Sequence, residues 1–132
     1  MATDNSGYPY LPMLAAADLS AAAGLIMQKN TTADQVALAT AATQVLTGIL
    51  QNKPAAAGRA ATVQVAGIAK VVAGAAVTVG DVLTTDGAGK AITFVPTAAT
   101  VEWVIGFAMT AAAAANEVIE VLLLIQTVST ET

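Results

Sequence analysis

The chain has 132 residues and a mass of 13.1 kDa, the size of one domain that buries roughly two-thirds of its unfolded surface and is too small for two ordinary cores. It lacks cysteine and histidine, which excludes disulfides, thiolate nucleophiles, Cys/His zinc sites and imidazole catalysis. A net charge of -4 with only five basic residues argues against nucleic acid as a partner, because phosphate binding needs a concentrated Lys/Arg footprint.

The composition is 56% hydrophobic but only 4% aromatic, and about a quarter of the chain is alanine, so most apolar side chains are small. Burying one methyl contributes about 0.8 kcal/mol, whereas ordering the backbone costs about 1 to 2 kcal/mol per residue. Such a core favours an oligomer or docking onto a larger partner.

Residues 1–20 read as an extended N-terminal arm and 21–132 as a single β domain. The opening M-A-T-D-N-S-G has an acidic residue and no basic stretch before an apolar run, so no signal peptide is expected. Tyr8-Pro9-Tyr10-Leu11-Pro12 favours an extended, polyproline-like path. Exposed aromatics flanked by prolines suit anchoring in a partner's pockets. Leu14 to Ala23, rich in alanine, is allowed one short helix. The longest uncharged stretch, Gln35 to Asn52, is interrupted by Thr, Gln, Asn and Gly, so no membrane span is expected.

Beyond Gly24 the pattern is strand-like. Gly58 reads as a turn before a strand in which Val63 and Val65 face inward and Thr62 and Gln64 outward. Val77 to Lys90 combines two carboxylates, three glycines and a lysine, and invites a phosphate- or calcium-loop reading. Thr84 stands where a phosphate loop needs its first glycine, and Ala91 follows Lys90 where Ser or Thr is needed. The calcium-loop spacing fails as well. The segment reads instead as a turn at Gly80-Asp81 entering a strand, then a hairpin at Asp86-Gly87 whose glycines, Gly89 included, supply positive φ.

Val101 to Met109 alternates with period two, placing Trp103, Ile105 and Phe107 in the core. Alanines 111–115 lead to a turn at Asn116 and to Val118 to Ile125, a strand apolar on both faces apart from Glu120, which implies a covered sheet or a subunit contact. Val121 and Leu123 belong to its core side. Glu117 and Glu120 have the wrong parity for a catalytic carboxylate pair, so no catalytic residue and no metal or cofactor site is expected.

A weak internal repeat aligns Gly48 to Val65 with Gly106 to Leu123 without gaps, matching Gly58 to Asn116 and Val63 to Val121. Two similar strand-turn-strand units suggest a mainly β fold, a small antiparallel β-barrel or sandwich.

The order of G-I-L-Q-N, T-V-Q-V-A-G-I-A-K, V-T-V-G-D-V-L-T-T-D-G-A-G-K-A and V-I-G-F-A-M-T-A-A-A-A-A-N-E-V-I-E-V-L-L-L resembles the phage capsid cement (head decoration) family over Gly24 to Ile125. One departure is Asn116, where the family favours Gly; Asn tolerates the positive φ the turn needs. The resemblance implies a β-tulip-like fold, no cofactor, and a structural virion protein made in the host cytoplasm. Such a protein binds the outer surface of the expanded icosahedral capsid, usually as a homotrimer at three-fold and quasi-three-fold sites, and stabilises the shell against internal DNA pressure. Its partners would be the major capsid protein and itself. Tyr8, Pro9, Tyr10, Leu11 and Pro12 lie outside the resemblance; from their own chemistry they are expected to contact capsid or a neighbouring subunit. The alternative is a virion- or cell-surface module binding carbohydrate or host, which would need an exposed aromatic platform. A carboxylate hydrolase, the third reading, would depend on Asp81 or Glu117.

Overall fold

Short β-branched and apolar runs, divided by Gly, Asn and Asp, become strands that sort into two sheets. The computed structural model describes residues 10–97 and 100–129. β1 (Tyr10–Ala15), β2 (Ile26–Lys29), β3 (Gln35–Leu38), β4 (Leu46–Leu50) and β5 (Ala60–Gln64) close into a barrel in the order β1-β3-β2-β4-β5. β6 (Ile68–Val72), β7 (Val82–Thr85), β8 (Ala91–Thr93), β9 (Val101–Ala108) and β10 (Val118–Ser129) form a five-stranded sheet ordered β6-β10-β9-β7-β8. The expected mainly β barrel is therefore present, joined to a second sheet.

The boundary expected at residue 20 is not observed. From Tyr10 onward the proline-rich stretch is strand β1, antiparallel to β5 with Tyr10 opposite Gln64 and Leu14 opposite Ala60. Pro12 fits because its missing N–H lies on the side where β1 has no neighbour until Leu14, whose N–H donates to the Asp34 carbonyl at 2.7 Å. β1 and β3 run parallel, with Leu14 opposite Gln35, against the all-antiparallel expectation. The helix allowed over Leu14 to Ala23 does not form, and none of the described residues is helical. Alanine's intrinsic preference yields to the strand pairing of Leu14 and Ala15 and to a turn in which the Ala22 N–H donates to the Leu19 carbonyl. Alanines 111–115 form a loop held by the bridge between Val77 and Ala112.

Ala15, Leu19, Ala22, Met27, Val36, Leu50, Ala61 and Val63 fill the barrel, with Val65 packed against them. The main cluster lies between barrel and sheet. Ile26, Leu46 and Ile49 of the barrel pack there with Val71, Leu83, Ile105, Ile119, Val121 and Leu123. β2 thus divides its side chains by pleat, Met27 into the barrel and Ile26 onto the sheet. Leu46 and Ile49, three apart, share a side because the β2–β4 register shifts between Met27 and Gln28.

The strict alternation expected for Val101 to Met109 fails for a similar reason. Ile105 and Ala108 both join the main cluster, and the β9–β10 register shifts between Leu123 and Gln126. Phe107 pairs with Leu122 and Val121 with Ala108, so Phe107 and Val121 occupy opposite faces. Phe107 is consequently half-buried rather than central, while Trp103 is half-buried against the cluster.

Gly58, Gly80, Gly89 and Asn116 have φ of 83°, 91°, 76° and 74°, as turn residues should. Gly87 does not have positive φ; Gly89 alone supplies it in that hairpin.

Candidate functional site

The Val77–Lys90 segment, richest in chemistry-bearing groups, is tied up in holding the fold. Asp81 Oδ2 accepts the Thr78 N–H at 3.0 Å and the Thr93 hydroxyl at 2.9 Å, fixing the turn before β7 to β8. Asp86 Oδ1 accepts the N–H groups of Ala88 and Lys90 at 2.8 and 2.9 Å, while its own N–H donates to the Lys90 carbonyl. Lys90 Nζ donates to Asn116 Oδ1 at 2.6 Å, joining the hairpin tip to the turn before β10.

The tip also docks on the barrel. The Ile26 N–H donates to the Gly89 carbonyl at 2.7 Å, and a Cβ on Gly89 would collide with Leu38 and crowd Leu25. What resembles an anion cradle in sequence is therefore a clasp between the two sheets.

The other carboxylates do not converge. Glu117 Oε1 accepts the Ala113 N–H at 2.9 Å and caps the alanine-rich loop, and Glu120 stands opposite Lys70 across the β6–β10 pair. Asp18 is held below the usual carboxylate range by hydrogen bonds from Ser20, first its side chain and then its N–H. No group of three or more His, Cys, Asp or Glu able to hold a metal occurs among the described residues.

Of the residues expected to contact a partner, Tyr8 and Pro9 lie outside the described residues. Tyr10 and Pro12 are exposed on β1, and Leu11 is half-buried. Of the expected core residues, Val63, Ile105, Val121 and Leu123 are buried, and Val65 and Trp103 half-buried.

Two features were missed by sequence reasoning. Gln64, expected to face outward, is buried, and its Nε2 donates to the carbonyls of Ala66 and Ile68 at 3.0 and 3.1 Å, where the chain crosses from barrel to sheet. The second is an apolar row on the sheet face turned away from the main cluster. Ile68 pairs with Leu122, Leu122 with Phe107, and Phe107 with Val82, so the four stand in line across β6, β10, β9 and β7. Phe94, just past the end of β8, donates its N–H to the Val82 carbonyl and continues the row beyond β7. The sequence signal for it was the second apolar face of Val118 to Ile125.

In fold the chain is similar to the head fiber gp8.5 N base of bacteriophage phi29, with a TM-score of 0.61 and 20% identity over 87% of this chain and 92% of that one. No curated protein matches it. A family model described as phage cement protein matches residues 13–123, from within β1 into β10. With most of its length matched, this chain belongs to the phage cement protein family, structural proteins associated with the capsid shell.

Proposed function

We propose that this protein binds the outer surface of the expanded icosahedral capsid as a homotrimer at three-fold and quasi-three-fold sites, and stabilises the shell against internal DNA pressure. The family match over residues 13–123 carries the reading. The composition agrees with it, since a chain without cysteine or histidine and with an alanine-rich core is suited to mechanical work rather than catalysis. A ligand that binds only the expanded lattice stabilises that lattice by mass action. Several copies joined together add modest contacts by avidity. The major capsid protein and further copies of this chain are the partners, and Tyr8, Pro9, Tyr10, Leu11 and Pro12, of which Tyr10 and Pro12 are exposed, are the proposed anchors.

The test is co-sedimentation with expanded shells stripped of cement and with unexpanded shells, using the full chain and a version lacking residues 1–9. Saturable binding to expanded shells alone is expected, weakened by the deletion. Absence of binding to either shell at every salt concentration would refute the reading, and unchanged affinity after deletion would refute Tyr8 and Pro9 as anchors.

A further inference from the structure

Resting on the capsid reading above, we propose that the open backbone edge at residues 80–82, where the chain enters β7, takes an extended strand of the shell protein by main-chain hydrogen bonds. The second sheet repeats the barrel strand for strand, β6-β10-β9-β7-β8 matching the ring read as β1-β5-β4-β2-β3. The registers match too: Tyr10 faces Gln64 as Ile68 faces Leu122, and Ile26 faces Ile49 as Val82 faces Phe107. The entries to β2 and β7 turn alike. Gly24 and Gly80 have φ of 83° and 91°, and their N–H groups donate to the Leu50 and Ala108 carbonyls, each at 2.8 Å.

At the first entry the outer backbone edge is filled. The Gly24 carbonyl accepts the Val72 N–H at 3.0 Å, the Ile26 N–H donates to the Gly89 carbonyl at 2.7 Å, and Ile26 is fully buried. At the second entry the Gly80 carbonyl and the Val82 N–H have no partner among the described residues, and Val82 is 45% exposed. The same edge is thus shaped for backbone and left open. A carbonyl and an N–H two residues apart on one edge are satisfied together by an added strand, which is how exposed sheet edges take extended peptides. Val79 and Val95 beside it are exposed, and the Asp81 carboxylate is committed to Thr78 and Thr93, so the strand that fits is apolar.

A second copy does not offer that strand. The seam that receives Gly24 and Ile26 has its counterpart between Leu14 and Asp34, and there the Leu14 N–H closes it by donating to the Asp34 carbonyl at 2.7 Å. Asp34 also stands where the second half has Gly89, which lies against Leu25, the counterpart of Asp81; a second copy would set two carboxylates together. The edges of β1 and β6 are guarded by Pro12 and Lys70.

The test uses the full chain on expanded shells stripped of cement, with hydrogen exchange read at single residues by mass spectrometry and binding read by co-sedimentation. The Val82 N–H should exchange as an open amide in the free chain and at least about a hundredfold more slowly on saturated shells. Val82→Pro removes that N–H at the first residue of β7, where proline is tolerated, and should bind at least about tenfold more weakly with its thermal melt retained. Val82→Ile keeps the N–H and should bind as the wild type does. Should Val82→Pro fail to fold, exchange in the wild-type chain decides alone. An unprotected Val82 N–H on saturated shells, or undiminished binding by folded Val82→Pro, overturns the proposal and leaves the capsid reading standing, whereas absence of wild-type binding refutes both.

Discussion

Gly106 in β9 lies so close to the backbone of β10 that a Cβ built on it would collide with the carbonyl of Leu122. Gly48 in β4 stands in the same relation to the carbonyl of Gln64 in β5. Gln64 and Leu122 are themselves partners in the alignment that sets Gly48 against Gly106, so the repeat extends from sequence to backbone packing. Substituting Gly106→Ala forces strands apart and is expected to destabilise the protein by at least about 2 kcal/mol. Gly58→Ala, where φ is 83° but no atom lies within 4 Å of the added Cβ, should cost only about 1 kcal/mol. Urea unfolding of the two variants measures the difference.

Gln64→Leu tests the crossing between the sheets. The substitution leaves the Ala66 and Ile68 carbonyls without their side-chain donor, and a loss of about 1 to 3 kcal/mol is expected. Gln64→Glu should be no better, because the carboxylate donates nothing. Equal stability of wild type and both variants in thermal melts would show that water replaces the amide fully.

Trp103 joins three parts of the molecule. Its side chain packs on the main cluster, its N–H donates to the Ala42 carbonyl at 2.7 Å, and its carbonyl accepts the Thr84 hydroxyl at 2.7 Å. Trp103→Ala removes the packing and keeps the backbone bonds. With the ring half-buried, the cost should fall near the low end of the range for such truncations, about 3 kcal/mol, in urea unfolding.

The loop before β2 has a pH signature. Asp18 has a depressed pKa in the folded state because Ser20 hydrogen bonds favour the charged carboxylate. The contribution of that pair is complete above the unfolded pKa and disappears as pH falls through the folded one. An NMR titration should place the Asp18 midpoint below that of an ordinary aspartate, and Ser20→Ala should raise it. An unmoved midpoint in the variant would assign the depression to the backbone N–H of residue 20 rather than to the Ser20 hydroxyl.

Local patterns carried much of this fold. The turns at Gly58, Gly80, Gly89 and Asn116, the burial of Val63 and Val121, and the refusal of Val77–Lys90 to match a phosphate loop all follow from spacing and from the φ each residue tolerates. The errors arise where distant partners decide. Tyr10-Leu11-Pro12 reads as a free arm because nothing local reveals that residues 60–64 lie alongside as a strand. Phe107 reads as core because period two was carried through Gly106, whereas the register shift opposite it in β10 turns the ring to the other face. The apolar row across the sheet was likewise hidden, since its members come from β6, β10, β9 and β7 and only pairing aligns them.

The division of the chain between its sheets sets an order of events during synthesis. Every strand of the barrel lies within residues 10–64, and every strand of the second sheet within 68–129. All the strands that pair within the barrel are therefore synthesised before the second sheet begins. Until β6 to β10 arrive, the side chains that cover Ile26, Leu46 and Ile49 are missing, and any barrel formed by then carries them as an exposed apolar patch. A ribosome that pauses after β5 lengthens the life of that patch, and with it the time in which two nascent barrels can adhere through the surface meant for their own second halves.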